Sequence, residues 1–139
     1  MKKKLVLLLS VVLVVCSLLC ACTQQSNFEE NLAFDCYYNN GILKIELVNN
    51  DPKDITSYDM TVKVFDGNST TPSTTLSGFD TEIYAGDTME WEVELEQTSV
   101  SYIDIEMTNI NNEGIDICKT VMTWETKQGI DNILKEKGY

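Results

Sequence analysis

The chain has 139 residues, with ten lysines and no arginine against 22 acidic residues, for a net charge of −12 at pH 7. That balance argues against nucleic acid and against adsorption onto anionic lipid or wall polymer, since both would repel it. Histidine is absent, which removes the commonest general base and metal ligand and excludes Ser-His-Asp, Cys-His and His-containing zinc chemistry.

Lys2, Lys3 and Lys4 precede an uncharged apolar run over residues 5–19, and Ala21-Cys22 closes it with a small residue before a cysteine. A basic start, an apolar stretch and a small-residue cleavage site make an export signal rather than a structural element. The ending Leu19-Cys20-Ala21-Cys22 resembles the lipobox of bacterial lipoproteins, in which a diacylglyceryl group is attached to the cysteine that becomes residue one. The resemblance implies a lipid anchor and an extracytoplasmic location at the cell membrane. Cys22 follows a small residue and Cys20 follows Leu19, so Cys22 is the expected acceptor. The alternative is an uncleaved span; at about 1.5 Å per residue, residues 5–21 are only marginally long enough to cross a bilayer. Cleavage leaves 118 residues, enough for one domain, with seven lysines against 22 acids, or −15. The expected organisation is a signal peptide over residues 1–21, a lipidated cysteine and tether over 22–32, a β domain over 33–126 and a helical tail over 127–139.

From Phe34 onward apolar residues recur every second position. Asn40-Gly41 is the strongest turn signal in the chain and predicts a two-residue type I′ hairpin. Taken literally, it pairs Asn39 with Ile42, Tyr38 with Leu43, Cys36 with Ile45 and Phe34 with Leu47, with the last three pairs on the core-facing side. Asn49-Asn50-Asp51-Pro52 ends the second strand. Tyr58, Met60, Val62 and Val64 define a third, followed by a Ser-, Thr-, Pro- and Gly-rich stretch over residues 68–78 that reads as a long loop. A short strand is expected over residues 81–84. Met89, Trp91, Val93 and Leu95 then alternate with Glu90, Glu92, Glu94 and Glu96, and Ile103, Ile105 and Met107 make the sixth strand. Over residues 115–125, Ile115 and Ile117 oppose Cys118, Met122 and Trp124, which calls for a bulge or burial on both faces. Ile130, Ile133 and Leu134 have helical spacing, with Gly138 as a stop. Seven short strands without helical crossovers predict an all-β antiparallel sandwich of immunoglobulin type; a small barrel is the competing architecture.

Val62-Lys63-Val64-Phe65-Asp66 resembles the signature of the FxLYD domain, a small sandwich of bacterial exported proteins. The neighbouring Leu47-Val48-Asn49-Asn50, Lys53-Asp54-Ile55 and Ala85-Gly86-Asp87 fit the same pattern. Val62 and Phe65 stand where the namesake motif has Phe and Tyr. The resemblance spans residues 43–107 and implies a fold and an extracytoplasmic setting, with no catalytic residues.

Cys36 and Cys118 remain after the signal and lipid cysteines are set aside, and an even pair in an exported chain predicts one disulfide. Two buried thiols are the rival reading. The carboxylates Glu90, Glu92, Glu94 and Glu96 form a solvated face that discourages edge pairing, or a surface for a cationic partner or for divalent ions. Oxygen-rich segments over residues 49–54 and at Asn109, Asn111, Asn112, Glu113 and Asp116 match no calcium-loop spacing, and asparagine and aspartate are also what turns use. Tyr37 and Tyr102 fall on the outward phase of their strands, where they can stack on sugars or anchor a contact. No catalytic, cofactor or metal residues are assigned, and no pair of acids stands out for glycoside hydrolysis. The expected function is a lipid-anchored, non-catalytic protein-binding or scaffolding module of the cell envelope, working with an envelope protein partner. The alternative is capture of calcium or a glycan.

Overall fold

The computed structural model describes residues 26–138, so the expected signal peptide over residues 1–21, with Cys20, and the expected lipid acceptor Cys22 lie outside the described residues. Seven strands form two antiparallel sheets: β1 (Leu32–Asn39), β2 (Ile42–Asn49), β3 (Asp59–Phe65), β4 (Thr74–Leu76), β5 (Thr88–Glu94), β6 (Tyr102–Ile110) and β7 (Ile115–Met122). A single turn of helix, α1 (Phe28–Asn31), precedes them and a longer helix, α2 (Trp124–Glu136), follows. The first sheet has the order β1-β2-β5 and the second β4-β3-β6-β7. The chain crosses between sheets after β2, β4 and β5, the Greek-key habit of immunoglobulin-like sandwiches.

The hairpin forms in the expected register, with Asn39 opposite Ile42, Tyr38 opposite Leu43, Cys36 opposite Ile45 and Phe34 opposite Leu47. Its turn residues have positive φ, 50° at Asn40 and 80° at Gly41, as a type I′ turn requires. A Cβ on Gly41 would also come within 3.3 Å of the Leu95 carbonyl oxygen. Period two then sorts the rest. Leu43, Ile45 and Leu47 from the first sheet meet Val62, Val64, Ile103, Ile105 and Met107 from the second, all fully buried except for traces. At about 25 cal/mol per Å² of apolar surface, this shared interior is the main stabilising term.

Three differences from the sequence reading have physical causes. The fourth strand is not at residues 81–84 but at Thr74–Leu76, within the stretch read as a loop. Ser73 N–H and Oγ–H both reach the Val64 carbonyl, at 2.8 and 3.0 Å, and start a short edge ladder on β3. Residues 81–84 supply only the Ile55–Ile83 bridge, which seats a fully buried Ile83. The last strand stops at Met122 because Thr123 caps α2: its side chain accepts from Thr126 N–H, while its hydroxyl lies 3.0 Å from the Val100 carbonyl. Trp124 therefore opens a helix, and α2 begins three residues before the tail expected from residue 127. Finally, the polar N-terminal segment is not all tether. Phe28 is 2% exposed and belongs to the core, so the domain starts ahead of residue 33.

Candidate functional site

The registers define two ends. At the entry end lie α1, the turn after β2, the start of β5 and the β6–β7 connection, since Leu32 faces Asn49, Val48 faces Thr88 and Asp59 faces Thr108. At the far end lie the Asn40-Gly41 turn, the loop over residues 66–73 and the β5–β6 connection. Eight-residue strands at about 3.3 Å per residue separate the two ends by roughly 25 Å.

The entry end is held by buried polar groups. Asp51, 1% exposed, accepts hydrogen bonds from Asn27 N–H at 2.8 Å, Asn31 Nδ2 at 3.0 Å and Lys53 N–H at 3.0 Å. Burial pushes its carboxyl upward, but the hydrogen bonds from Asn31, Lys53 and Asn27 outweigh this and hold it below the ordinary aspartate value. Asn49, fully buried, donates to the Lys53 and Ile83 carbonyls and accepts from Asp51 N–H. The sequence marked both residues as turn formers within an oxygen-rich segment; their burial could be found only from the fold.

The two oxygen-rich segments are occupied by this turn chemistry. Asn109, Asn111 and Asn112 all have positive φ, between 52° and 58°, a conformation that asparagine tolerates better than other side-chain-bearing residues. Asn111 Oδ1 accepts from Thr56 N–H at 2.8 Å, Asp116 Oδ1 from Asn109 N–H at 2.8 Å and Asp54 Oδ1 from Ala85 N–H at 2.7 Å, while Glu113 pairs with Lys53. Asn109 also sits at a bulge, because Met107 faces Ile117 and Ile110 faces Ile115. Among the described residues no group of three or more acids or cysteines is arranged to hold a metal ion.

Cys36 and Cys118 are not brought together. Ile117 and Val121 turn inward on β7, so Cys118 must turn outward, and it is exposed. Cys36 is 1% exposed on the inner face of β1 and donates its thiol to the Val121 carbonyl at 3.6 Å. Both are free thiols, which corrects the expected disulfide. The strands are neighbours, as the Cys36–Thr123 bridge shows, but the two side chains face opposite sides of the second sheet. Burial pushes the Cys36 thiol up to about 12, against a smaller lowering by Lys127.

The far end is a cluster of polar connections tied to one another. Tyr38 Oη–H donates to the Gln97 carbonyl, Ser73 Oγ meets Gln97 Oε1 at 2.7 Å, Ser99 Oγ–H meets Asp66 and Gly67 N–H donates to Ser101 Oγ at 2.9 Å. Under the 66–73 loop, Phe65 and Tyr102 stack on the outer face of the second sheet with centroids 4.5 Å apart, and Tyr102 Oη–H reaches the Ser69 carbonyl at 3.1 Å. Tyr37 is likewise half-buried, 6.4 Å from Trp124. Neither tyrosine is a free sugar-stacking platform.

Next to the loop, a groove of about 540 Å³ opens between β4 and β5, lined by Ser73, Thr74, Leu76, Glu94, Leu95, Glu96 and Gln97. Glu90, Glu92, Glu94 and Glu96 are exposed on the outward phase beside it. Only Glu90 of the four has an ion-pair partner among the described residues, Lys44 at 2.9 Å. Among the described residues no helix is long and apolar enough to cross a membrane. No protein-family model matches the chain, and no curated protein matches it.

Proposed function

We propose that the chain is an extracytoplasmic lipoprotein, held to the cell membrane through a lipid on Cys22, whose sandwich is a non-catalytic protein-binding or scaffolding module of the cell envelope. The observation that carries this reading is the opposition of the two ends. The chain enters at α1, and the 66–73 loop lies at the far end. Phe28 is six positions after Cys22, a reach of at most about 20 Å, so a lipid there keeps the entry end near the bilayer. The far end, with its small adaptable side chains Ser69, Thr70, Thr71, Thr98 and Ser99, then faces outward. The lipobox-like ending and the FxLYD-like segment support the same setting. A non-catalytic role is supported by the lack of histidine and by Asp51, a buried acid whose oxygens are already spent on structure.

The test places a photo-crosslinker at Thr70, and separately at Thr56 of the entry end, in cells fed a fatty-acid probe. The expected result is probe labelling that Cys22→Ser abolishes, together with one defined envelope protein captured from Thr70 and not from Thr56. Shortening the 66–73 loop to a tight turn is expected to abolish that capture while moving the thermal midpoint by only a few degrees, because closure entropy varies slowly with loop length. Undiminished labelling of the Cys22→Ser protein, or equal capture by the shortened protein, overturns the reading.

A further inference from the structure

The first sheet ends at β5, which is bonded to β2 on one side and, among the described residues, to no strand on the other. Which backbone groups face the open side follows from two hydrogen bonds that continue the β2–β5 ladder. Leu95 N–H donates to the Gly41 carbonyl at 2.7 Å, and Asn49 N–H donates to the Asp87 carbonyl at 2.9 Å. Odd-numbered residues of this segment therefore turn their backbone groups toward β2. Alternate residues of an antiparallel pair turn theirs the other way. Thr88, Glu90, Glu92 and Glu94 thus present N–H and C=O to the open edge, and among the described residues no backbone hydrogen bond reaches them from that side.

The space beside this edge is apolar on its inner wall. Met89, Trp91, Val93 and Leu95 point inward yet remain only half-buried: Phe79 packs edge-on against Trp91 with centroids 5.4 Å apart, and among the described residues no further strand covers the row. The three-residue β4 is too short to do so, and the groove between β4 and β5 exposes Leu76 and Leu95. An added strand would set its inward side chains on this apolar wall and its outward side chains beside Glu90, Glu92 and Glu94. A second copy joined through the same edge would lay carboxylate against carboxylate, and like charges directly opposite on a sheet are destabilising. Cationic side chains at those positions are favoured instead, and Glu92 and Glu94 have no ion-pair partner among the described residues.

We propose that the open edge of β5 receives an extended segment of a partner protein, added as a fourth strand of the first sheet, in which apolar residues alternate with lysine or arginine. The open backbone supplies the affinity, the groove takes the apolar side chains, and the carboxylates set the partner's charge, as in strand-addition recognition generally. The inference rests on the reading of the domain as a protein-binding module and names the chemistry of its partner.

The test uses the full chain in detergent micelles and three seven-residue peptides: one alternating lysine and valine, one alternating glutamate and valine, and one with the lysines and valines in separate blocks. Amide hydrogen exchange is followed residue by residue. The expected result is at least tenfold slower exchange at Glu90, Glu92 and Glu94 with the alternating cationic peptide alone, lost at high salt. The double variant Glu92→Lys/Glu94→Lys, which leaves the inner face intact, is expected to prefer the glutamate–valine peptide. Protection by all three peptides, no protection at these amides, or an unchanged preference in the double variant overturns the inference. If that occurs while capture through Thr70 persists, the inference alone falls; if capture fails too, the binding-module reading falls with it.

Discussion

Cys36 and Cys118 show how one position along a strand decides chemistry. The parity that buries Ile117 and Val121 exposes Cys118, and the hairpin register buries Cys36. Of the two thiols among the described residues, that of Cys118 is expected to react with iodoacetamide in the native protein, and Cys36 only after denaturation. A mass two hydrogens short of the dithiol form, measured without reductant, would contradict this. Asp51 is the second such residue. Its folded pKa lies below its unfolded value of about 3.9, so its contribution is fully present above that value and is lost as pH falls through the folded value. Asp51→Asn is expected to cost about 1.5–3 kcal/mol at pH 7, the range for hydrogen bonds to a charged group. The gap to the wild type should narrow in urea melts as pH falls below about 4. An equal gap at pH 7 and at pH 2.5 would mean that the carboxylate's charge is not what matters.

Among the elements, the β1–β2 hairpin depends most on a single local feature. Gly41 combines a φ of 80° with close approach to the Leu95 carbonyl oxygen. Gly41→Ala is expected to destabilise by about 1–2 kcal/mol, the cost of a left-handed conformation for a residue with a Cβ. Gly67→Ala serves as the comparison: its φ is 58° but nothing lies within 4 Å of an added Cβ, so it should cost less. Equal midpoints for the two variants in urea would show that the Leu95 contact adds nothing. At the other edge of the first sheet, α2 covers the second half of β1: Tyr38 N–H donates to Glu125 Oε2 at 3.3 Å and Lys127 pairs with Asp35 at 2.9 Å, while Leu32 and Phe34 line a groove beside β7. Among the described residues β5 is thus the edge open along its whole length.

The whole molecule carries far more negative than positive charge. The four ion pairs among the described residues are all on the surface, and exposed pairs contribute about 0–1 kcal/mol each. Repulsion among the remaining acids is long-ranged at low salt, where the screening length is about 30 Å at 0.01 M, and short at 0.15 M, where it is about 8 Å. Salt weakens both effects, and with so few cations the repulsion dominates. The thermal midpoint is therefore expected to rise by a few degrees between about 10 and 300 mM sodium chloride. A fall over that range would show that the ion pairs outweigh the repulsion.

Much of the fold was legible in residues 34–48 and 102–107, where a two-residue turn and strict alternation set register and inner face without reference to the rest of the chain. Such signals are local, since a turn's dihedrals and a strand's parity depend on neighbours only a few residues away. The sequence by itself thus determined the all-β class, the hairpin and the sides on which Leu43, Ile45, Ile103 and Ile105 lie. Only the tertiary structure decided that Thr74–Leu76 and not residues 81–84 would be a strand, because a three-residue edge is stabilised by β3 rather than by its own propensity. Tertiary structure also buried Asn49 and Asp51 and left one side of β5 without a partner among the described residues. Those outcomes depend on contacts between residues far apart in sequence, which alternation and turn chemistry do not encode.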